Sequence, residues 1–450
     1  MLKCGACETV ITPKLGLPIP GYFEVRPATD ILDDLYAKAV VFDNGKKICG
    51  FLVVDMLHIT ANLCNQIREK FRNTLMIDAD GIMIAATHSH TSFAVEYNDE
   101  FSSVDEQWLA VMATKAADAL IMAYRRRVPC QFGFARTEEH EIAFNRRYFM
   151  KDGTVRTWPG IGNPDAVRPA AGVDPELDVI RVDDLDGKPI AVITNFANHL
   201  DLIGGTKYSA DYPGVLSKEL KKRLDCDSVV SLFLNGCCGD VTHIDYTGKH
   251  KFDDKHYIKC GKILADDVMS VYDGIEMTRD ADIDYIFDTK YIDRRQVSED
   301  DYLENKEALL RYERDKKAAK AASAESADGY ENPATGDGMA MSYVKCTVAL
   351  FEHPLPHELV YLQGVKLGDI YFAGMPGEMF AELGLDLKAR SPFDKTVCVE
   401  LANGCFGYIA TKKAFAEGGY EVSLDRYVNM SEDAGDIIND VLIDIAEKLK

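Results

Sequence analysis

Apolar and polar positions follow two different periods along the chain, which predicts alternating strands and helices. The segment "YAKAVVFDNGKKICGFLVVDM" holds two β-rich runs joined at Asp43-Asn44-Gly45, a combination typical of a hairpin. Apolar residues recur at helical spacing in "ITANLCNQIREKFRNTL" and "DEQWLAVMATKAADALIMAYRRR", with the strand "GIMIAATHSH" between them. Further strands are predicted in "ELDVIRVDD", "PIAVITNFAN" and "SVVSLFLNG". This order favours an α/β fold of mixed β-sheets flanked by helices in layers.

One segment departs from this pattern. Residues 297–326 are charged and alanine-rich, which predicts an exposed helix, and a loop follows it. We interpret about 297–342 as an insertion into a single domain that spans 1–450. The β-rich pattern resumes with "VKCTVALFEH" and "ELVYLQGVKLGDIYFAGMPGEMF", the latter with a turn at 366–369. A final helix is predicted after Ser431, which would cap it.

Composition and charge narrow the range of partners. The chain has 450 residues, 51 of them basic and 73 acidic, for a formal net charge of −22. Nucleic acids and anionic membranes bind surfaces rich in Lys and Arg, so neither is expected as a partner. We expect no transmembrane segment, since no run of about 18 apolar residues occurs, and we find no signal-peptide pattern.

Cysteine usage indicates the compartment. Twelve cysteines without an obvious disulfide framework predict reduced thiols in the cytoplasm. Cys4 and Cys7 form a lone C-x-x-C pair, which we interpret as two small apolar residues of an N-terminal strand.

The first candidate chemistry lies at His88 and His90, where a predicted strand ends. Residues i and i+2 of a strand face the same side, so the two imidazoles aim at one point if the strand extends that far. Metal binding or catalysis is a common reason to bury two histidines on one face. Amidohydrolase barrels fit poorly because they need eight regular βα units. Metallo-β-lactamase-like hydrolases need H-x-H-x-D-H, whereas "HSHTSF" supplies no further Asp or His.

Other polar residues also follow predicted strands. They are His199 after "TNFAN", Asp240 in "FLNGCCGD", Glu378 after "DIYFAGMPG", and Tyr408 and Tyr420 in "LANGCFGYIATKKAFAEGGYEV". Because α/β proteins build their sites where strands give way to loops, we expect a site at these strand ends.

Taken together, these segments resemble the N-terminal catalytic domain of the neutral/alkaline non-lysosomal ceramidase family. "THSH" at 87–90 is similar to the family's T-H-x-H-S motif, and "NFANH" at 195–199 matches N-F-A-x-H. "SADYPG" resembles G-D-x-P-G, "GCCGDVTH" resembles N-x-G-D-V-S-P, "PGEM" resembles P-G-E-F, and "YIAT" resembles Y-V-T-T. With the opening "GACETVITP", the resemblance runs from about residue 4 to 445.

The resemblance implies a zinc ion held by His88, His199, Glu378 and Tyr408. Zinc takes about four N and O ligands in such sites and keeps a position for water, so the set is chemically sensible. A tyrosine ionises on the metal because the cation favours the phenolate. The implied reaction is hydrolysis, in which zinc-activated water attacks an amide or ester carbonyl.

The resemblance also implies roles for residues around the metal. His90 would pass a proton to the leaving group, and Tyr420 would donate a hydrogen bond to the developing oxyanion. Arg146, in "FNRRYF", would orient the substrate, with the adjacent Arg147 as an alternative.

The "GDVTH" loop supplies two further candidate catalytic residues, Asp240 and Thr242. Thr242 replaces the family's serine and keeps the hydroxyl, while His243 replaces its proline. "TSFAVEY" replaces the family's glycine-rich stretch, so Phe93 would change the shape of the pocket mouth. Asp240 and Asp245 are also weak candidates for ligands of a second metal.

The substrate stays open at this point. An acidic chain without a membrane-binding patch is badly placed to extract a two-chain lipid from a bilayer. We therefore expect a zinc-dependent hydrolase of an N-acylsphingosine-like amide or of a small polar amide, ester or lactone. The alternatives are a zinc-dependent lyase or isomerase acting on a polar carbonyl metabolite such as a sugar derivative, and a zinc-binding structural protein.

Overall fold

A computed structural model describes residues 1–96, 103–323, 337–424 and 428–450, with the main chain alone for 316–323 and 337–338. The strands are β1 (Lys3–Val10), β2 (Asp30–Ile31), β3 (Tyr36–Asp43), β4 (Ile48–Val54), β5 (Ile82–Ala86), β6 (Val128–Glu138), β7 (Phe144–Asn145), β8 (Arg147–Met150), β9 (Val155–Thr157), β10 (Ala166–Pro169), β11 (Glu176–Asp184), β12 (Pro189–Phe196), β13 (Lys207–Tyr208), β14 (Val230–Asn235), β15 (Val241–Thr242), β16 (Ile283–Asp293), β17 (His357–Leu367), β18 (Ile370–Gly374), β19 (Glu378–Met379), β20 (Lys395–Val399) and β21 (Tyr408–Ile409). The helices are α1 (Ala61–Leu75), α2 (Glu106–Arg125), α3 (Asp211–Arg223), α4 (His256–Tyr272), α5 (Glu299–Ser323), α6 (Asp337–Glu352), α7 (Ala381–Arg390), α8 (Lys412–Glu417) and α9 (Ala434–Leu449), with a 3-10 turn at Tyr420–Val422.

Two sheets form the centre of the molecule. The larger has eight strands in the order β14-β12-β11-β6-β1-β3-β4-β5, and the smaller has the order β16-β17-β18-β20. Pairing is parallel for β12 with β14, β4 with β5, and β18 with β20, and antiparallel for the other neighbours. The sheets are therefore mixed, as the sequence predicts.

Strand alternation assigns each face of the large sheet to a different layer. In β3, Ala39 and Val41 face α1 and α2, whereas Val40 and Phe42 face the small sheet. The other half of the large sheet is covered by α3 and α4. The far face of the small sheet packs on α7 and α9. The result is a helix–sheet–sheet–helix arrangement, which confirms the predicted fold class.

The large sheet curls, so that its two edges approach each other. Residues of β14, at one edge, lie within contact range of β3, β4 and β5 near the other edge. The Asn235 amide at the end of β14 donates to the Thr87 carbonyl beyond β5 at 3.3 Å. Loops that follow strands at opposite edges of the sheet therefore meet in space.

Most predicted elements are confirmed. The hairpin at Asp43-Asn44-Gly45 joins antiparallel β3 and β4, and Gly45 takes a left-handed φ of 84° that its turn requires. The turn at 366–369 joins β17 to β18, and the charged helix is α5. Cys4 and Cys7 lie in β1, and all twelve cysteines are free thiols.

Four predictions of local structure are wrong. "VKCTVALFEH" is helical, because it belongs to α6, which packs against α5. The C-terminal helix begins at Ala434, with Asp433 rather than Ser431 at the cap position and no side-chain cap. The strand β5 stops at Ala86, so the two histidines after it stand on a loop. The loop predicted at 327–341 lies outside the described residues as far as 336, and its last part, 337–341, is helical because it belongs to α6.

The described part of the chain contains no helix with both the length and the apolar character needed to cross a bilayer.

Candidate metal centre

His88 enters the site through an unusual backbone conformation. Its φ is +78°, in the left-handed region that residues other than glycine rarely adopt. The His88 N–H donates to the Met56 carbonyl at 2.9 Å, and Nδ1 lies 2.8 Å from the Leu57 carbonyl. Because a carbonyl can only accept, Nδ1 carries the proton and donates, which leaves Nε2 directed at the centre of the site.

His199 is held in the same manner from the opposite edge of the sheet. It follows β12, and its Nδ1 donates to the Cys238 carbonyl at 3.0 Å. Its Nε2 lies 3.1 Å from the Nε2 of His88. Two imidazole nitrogens that face each other at this distance need a cation between them, either a proton or a metal ion.

Glu378 completes this group from a third direction. Its strand β19 pairs in parallel with β21, which sets Glu378 beside Tyr408. Glu378 Oε2 lies 3.4 Å from His88 Nε2 and 3.7 Å from His199 Nε2. This buried oxygen accepts no hydrogen bond of good geometry from the residues described.

Charge couples His88 to Glu378. Burial alone would lower the pKa of His88, but the carboxylate of Glu378 raises it to about 9. Burial would raise the pKa of Glu378, but the charge on His88 holds it well below its usual range. Burial and the Glu378 charge both raise the pKa of the Tyr408 phenol. The pocket thus binds one positive charge strongly, and a metal ion would take the place of the proton.

His90 is the other candidate ligand. Its Nε2 lies 3.4 Å from His88 Nε2, and the donor atoms of His88, His90 and His199 all lie within 4.8 Å of one another. Burial and then the charge on His88 lower the pKa of His90 to about 3, so its imidazole is neutral. The loop after β5 therefore brings the two histidines together although they are not on a strand.

The donor atoms fit a metal ion of the zinc type. Bonds of about 2.0–2.1 Å to a tetrahedral ion place neighbouring donors roughly 3.3–3.4 Å apart. The separations among His88, His199 and Glu378 are 3.1, 3.4 and 3.7 Å. A buried three-histidine group with an adjacent unsatisfied carboxylate can therefore hold a metal ion.

The two adjacent arginines have different surroundings. Arg146 Nε donates to Glu421 at 2.7 Å, its Nη1 lies 3.1 Å from His199 Nε2, and its Nη2 has no hydrogen-bond partner among the described residues. Arg147 turns away and donates from Nη2 to the Gly418 carbonyl at 2.7 Å. Of the two, Arg146 is the one that reaches the metal centre.

Tyr420 lies next to Tyr408 in an aromatic group. Their ring centroids are 5.7 Å apart, and Trp158 lies 4.9 Å from Tyr420 on another side. Burial is the main reason that the pKa of Tyr420 lies above its ordinary value, so the phenol is protonated and can donate.

A cavity of about 70 Å³ opens above the donor atoms. Among the described residues, those lining it are Gly21, Tyr22, Phe23, Leu57, His58, His88, His90, Tyr343, Glu378, Tyr408, Tyr420 and Val428. Five of the predicted site residues, His88, His90, Glu378, Tyr408 and Tyr420, thus line one cavity.

Solved structures of known proteins match this arrangement over the whole chain. The crystal structure of neutral ceramidase from Pseudomonas aeruginosa matches with a TM-score of 0.74 at 15% identity, over 100% of this chain and 74% of the other. A ceramidase complexed with C2 matches with a TM-score of 0.75 at 15% identity, over 100% and 75%. The chain has the neutral ceramidase fold. No family model and no curated protein matches it, so the likeness is carried by the structure.

Within this neutral ceramidase fold, Asp240 and Thr242 occupy supporting positions. Asp240 accepts from the Ala381 N–H at 2.9 Å and from the Asn145 amide at 2.6 Å, which anchors the start of α7. Burial raises the pKa of Asp240 to about 6. Thr242 lies in β15, paired with Phe144 of β7. None of these contacts of Asp240 and Thr242 is with His88, His90 or His199.

Asp245, a weak candidate ligand for a second metal, is engaged in hydrogen bonds to backbone groups that follow it. Its carboxylate accepts from the backbone N–H groups of Thr247 at 2.8 Å, Lys249 at 3.1 Å and His250 at 2.9 Å. These bonds form a local turn at residues 245–250. Phe93 is buried among core residues that include Trp108, and it does not line the cavity.

Sequence reasoning missed several residues that support this site. Glu421, fully buried, binds Arg146, and the Leu57 and Cys238 carbonyls orient the two histidines. Carbonyl groups carry no sequence signal, because every residue type has one. Glu421 directly follows Tyr420 in the sequence. Two adjacent arginines predicted near the site need a negative counter-charge, and this acidic residue was the nearest candidate to supply it.

Proposed function

We propose that the protein is a zinc-dependent hydrolase that cleaves an amide or ester bond. The observation that carries the proposal is the convergence of His88 Nε2, His199 Nε2 and Glu378 Oε2 within 3.7 Å in a buried pocket. Tyr408, held beside Glu378 by the β19–β21 pair, is the proposed fourth ligand. When bound, zinc acts as a Lewis acid and lowers the pKa of water in its coordination sphere.

The surrounding residues suit acyl transfer to water. Neutral His90 lines the cavity and has an unpartnered Nδ1 among the described residues, so it can accept a proton and return it to the leaving group. The protonated phenol of Tyr420 can donate to an oxyanion. A cation held by His199 Nε2 would occupy the lone pair that Arg146 Nη1 now contacts, and the guanidinium would then be available to a substrate oxygen.

The neutral ceramidase fold supports the same reaction class. Two solved structures with this fold are ceramidases by name, which act on an N-acyl amide. We accordingly propose an N-acylsphingosine-like amide or a smaller amide, ester or lactone as the substrate. Twelve free thiols, eleven of them buried, agree with a cytoplasmic location.

We further propose that residues 1–450 form one catalytic domain in which α5 and α6 are an insertion. The two helices connect β16 to β17, which pair directly as an antiparallel hairpin from Asp293↔His357 onward. Antiparallel neighbours of this kind are usually joined by a short loop. Here α5 and α6 stand in place of that loop.

A second candidate, a zinc-dependent lyase or isomerase, is favoured by one observation. The neutral imidazole of His90 faces a cavity of only about 70 Å³, which suits proton transfer on a small carbonyl metabolite. Solvent deuterium incorporation into a sugar derivative without bond cleavage would support this candidate over hydrolysis.

The test of the main proposal compares metal content with turnover. Purified protein should contain about one zinc per chain by elemental analysis, and release of acid from N-acyl amides, esters and lactones should stop with chelator and return with zinc. H199A and E378Q should lose most of the metal and the activity. H140A and E138Q, which remove an exposed His–Glu pair, serve as matched controls and should retain both. Full zinc content in H199A and E378Q would contradict the proposed centre.

A further inference from the structure

The cavity above the metal centre has walls of two kinds. Its floor is polar and consists of His88, His90 and Glu378. Its sides are aromatic and include Tyr22, Phe23, Tyr408 and Tyr420, with Tyr343 as a further wall residue. The space between them is about 70 Å³, far below the roughly 300–1,000 Å³ of pockets that bury a drug-sized ligand.

Tyr343 differs from the other wall residues in its origin. It lies in α6, one of the two helices inserted between β16 and β17, whereas His88 and His90 follow β5 and Glu378 lies in β19. Tyr343 also lies near Tyr420: burial is the main cause of the raised pKa of the Tyr420 phenol, and the neighbouring Tyr343 phenol adds to it. The inserted helices therefore narrow a cavity that the sheets alone would leave wider.

The position of α6 is secured by contacts with α5. Tyr302 stacks on Phe351 with ring centroids 4.2 Å apart and planes 12° from parallel. The Tyr302 hydroxyl donates to Glu352 at 2.9 Å, and Lys306 pairs with the same carboxylate. These contacts fix α6, the helix that carries Tyr343, against α5.

A long hydrocarbon tail cannot be buried in this space together with the scissile group. Apolar chains bind in proportion to the apolar area that they bury, so a tail that stays outside the cavity adds little affinity. A compact acyl group, by contrast, is enclosed by aromatic side chains on several sides.

We propose that Tyr343 is a specificity-determining residue that restricts this site to compact acyl groups of a few carbon atoms. This inference rests on the proposed hydrolase function for its reaction: water adds to the acyl carbon, the C–N or C–O bond breaks, and a carboxylic acid and an amine or alcohol are released. Tyr343 takes no part in bond making and acts by occupying space.

The test uses substrates and product acids that differ only in chain length. For zinc-loaded wild type, kcat/KM for p-nitrophenyl esters should fall at least tenfold between acyl chains of 2 and 12 carbons. Y343A should raise kcat/KM for the 12-carbon ester about tenfold and leave the 2-carbon ester within about threefold. Y343F keeps the ring and should behave as wild type, and Y291A removes a tyrosine exposed on β16 as a control.

Binding supplies a measurement that does not depend on turnover. By calorimetry, wild type should bind acetate and butyrate more tightly than dodecanoate, and Y343A should reverse that order. Equal binding of short and long acids by wild type, or an unchanged order in Y343A, overturns the size limit. If the binding order holds and no ester or amide is cleaved, the size limit stands and the proposed hydrolase function fails. If Y343A does not fold, Y343L, which removes the ring but keeps an apolar side chain, replaces it in both series with the same expected and contradicting results.

Discussion

The left-handed backbone of His88 shows how single residues build this site. A non-glycine residue in that region costs about 1–3 kcal/mol, and such strain persists only where surrounding contacts enforce it. Here the Met56 carbonyl accepts the His88 N–H at 2.9 Å, and the Leu57 carbonyl holds the ring at 2.8 Å. The strained backbone turns the imidazole inward, toward His199, rather than along the direction of β5.

Glu421 is the residue on which the arginine pair depends. Its Oε1 accepts from Arg146 Nε at 2.7 Å, and its Oε2 accepts from Thr157 at 2.8 Å and lies 3.5 Å from Arg147 Nε. Both arginines are buried, so the loss of this carboxylate leaves two positive charges without their common counter-ion.

We therefore expect E421Q to lower the free energy of unfolding by about 3–5 kcal/mol, as measured by urea denaturation. The control is D440N, which breaks an exposed pair with Arg390 and should change stability by less than about 1 kcal/mol. Similar stability of E421Q and D440N would show that the buried carboxylate is not the counter-ion that we describe.

At the scale of elements, local pattern and tertiary contact compete. The segment "VKCTVALFE" is rich in residues that favour strands, yet it is helical in α6. Stacking of Phe351 on Tyr302 of α5 stabilises the helical conformation. The pattern of apolar residues along the sequence does not show that Tyr302 is the partner of Phe351. The cap of α9 shows the same limit, because Ser431 stands two residues too early for the observed start at Ala434.

The junction of β3 and β4 contains a buried carboxylate with a testable pH dependence. Asp55 follows β4 and accepts the N–H of Tyr36, the first residue of β3, at 2.8 Å. Burial raises the pKa of Asp55 to about 6, an effect that Lys38 opposes in part. The unfolded chain has an Asp pKa of about 3.9, so the folded protein binds this proton more tightly.

Stability contributed at Asp55 should consequently fall as pH rises from about 4 to about 6. D55N keeps a carbonyl oxygen for Tyr36 and does not titrate, so its free energy of unfolding relative to wild type should rise over this range. D30N is the control: a hydrogen bond from Lys207 lowers the pKa of exposed Asp30, so its pH dependence lies mainly below about pH 4 and the D30N difference should stay nearly constant from pH 4 to 6. A D55N difference that stays constant between pH 4 and 6 would contradict the assignment.

At the scale of the whole molecule, the site exists because the large sheet curls. His88 follows β5 and His199 follows β12, strands near opposite edges of the eight-stranded order. Because β14 contacts β3, β4 and β5, the two ends of the sheet lie close together. The His90 N–H donates to the Leu200 carbonyl at 3.0 Å, which joins the loop after β5 to the loop after β12. A metal ion bound there joins segments that are distant in sequence.

Metal binding should accordingly stabilise the whole fold. A ligand that binds only the folded state adds about 2.7 kcal/mol when its free concentration is 100 times its Kd. We expect chelator to lower the melting temperature in calorimetry and zinc to restore it. H199A should melt at one temperature under both conditions, and H140A should respond as wild type does. An equal response of H199A and wild type to zinc would place the stabilising metal elsewhere.

The amino-acid sequence by itself determined the local elements and much of the candidate chemistry. Periodicity identified β3, β4, α1, α2, β11, β12 and β14, because burial of one face imposes its period on the residues. Short motifs identified His88, His90, His199, Glu378 and Tyr408, which the structure brings to one point, because their chemistry limits the residue types that can stand there.

Only the tertiary structure decided how those segments meet. The curl of the large sheet, the helical state of α6, the ring of Tyr343 above the cavity and the role of Glu421 all depend on contacts between residues far apart in the chain. Local sequence patterns report which face of an element is buried, but they do not record the partner against which it is buried. The size of the cavity, and with it the proposed choice of substrate, follows from those partners.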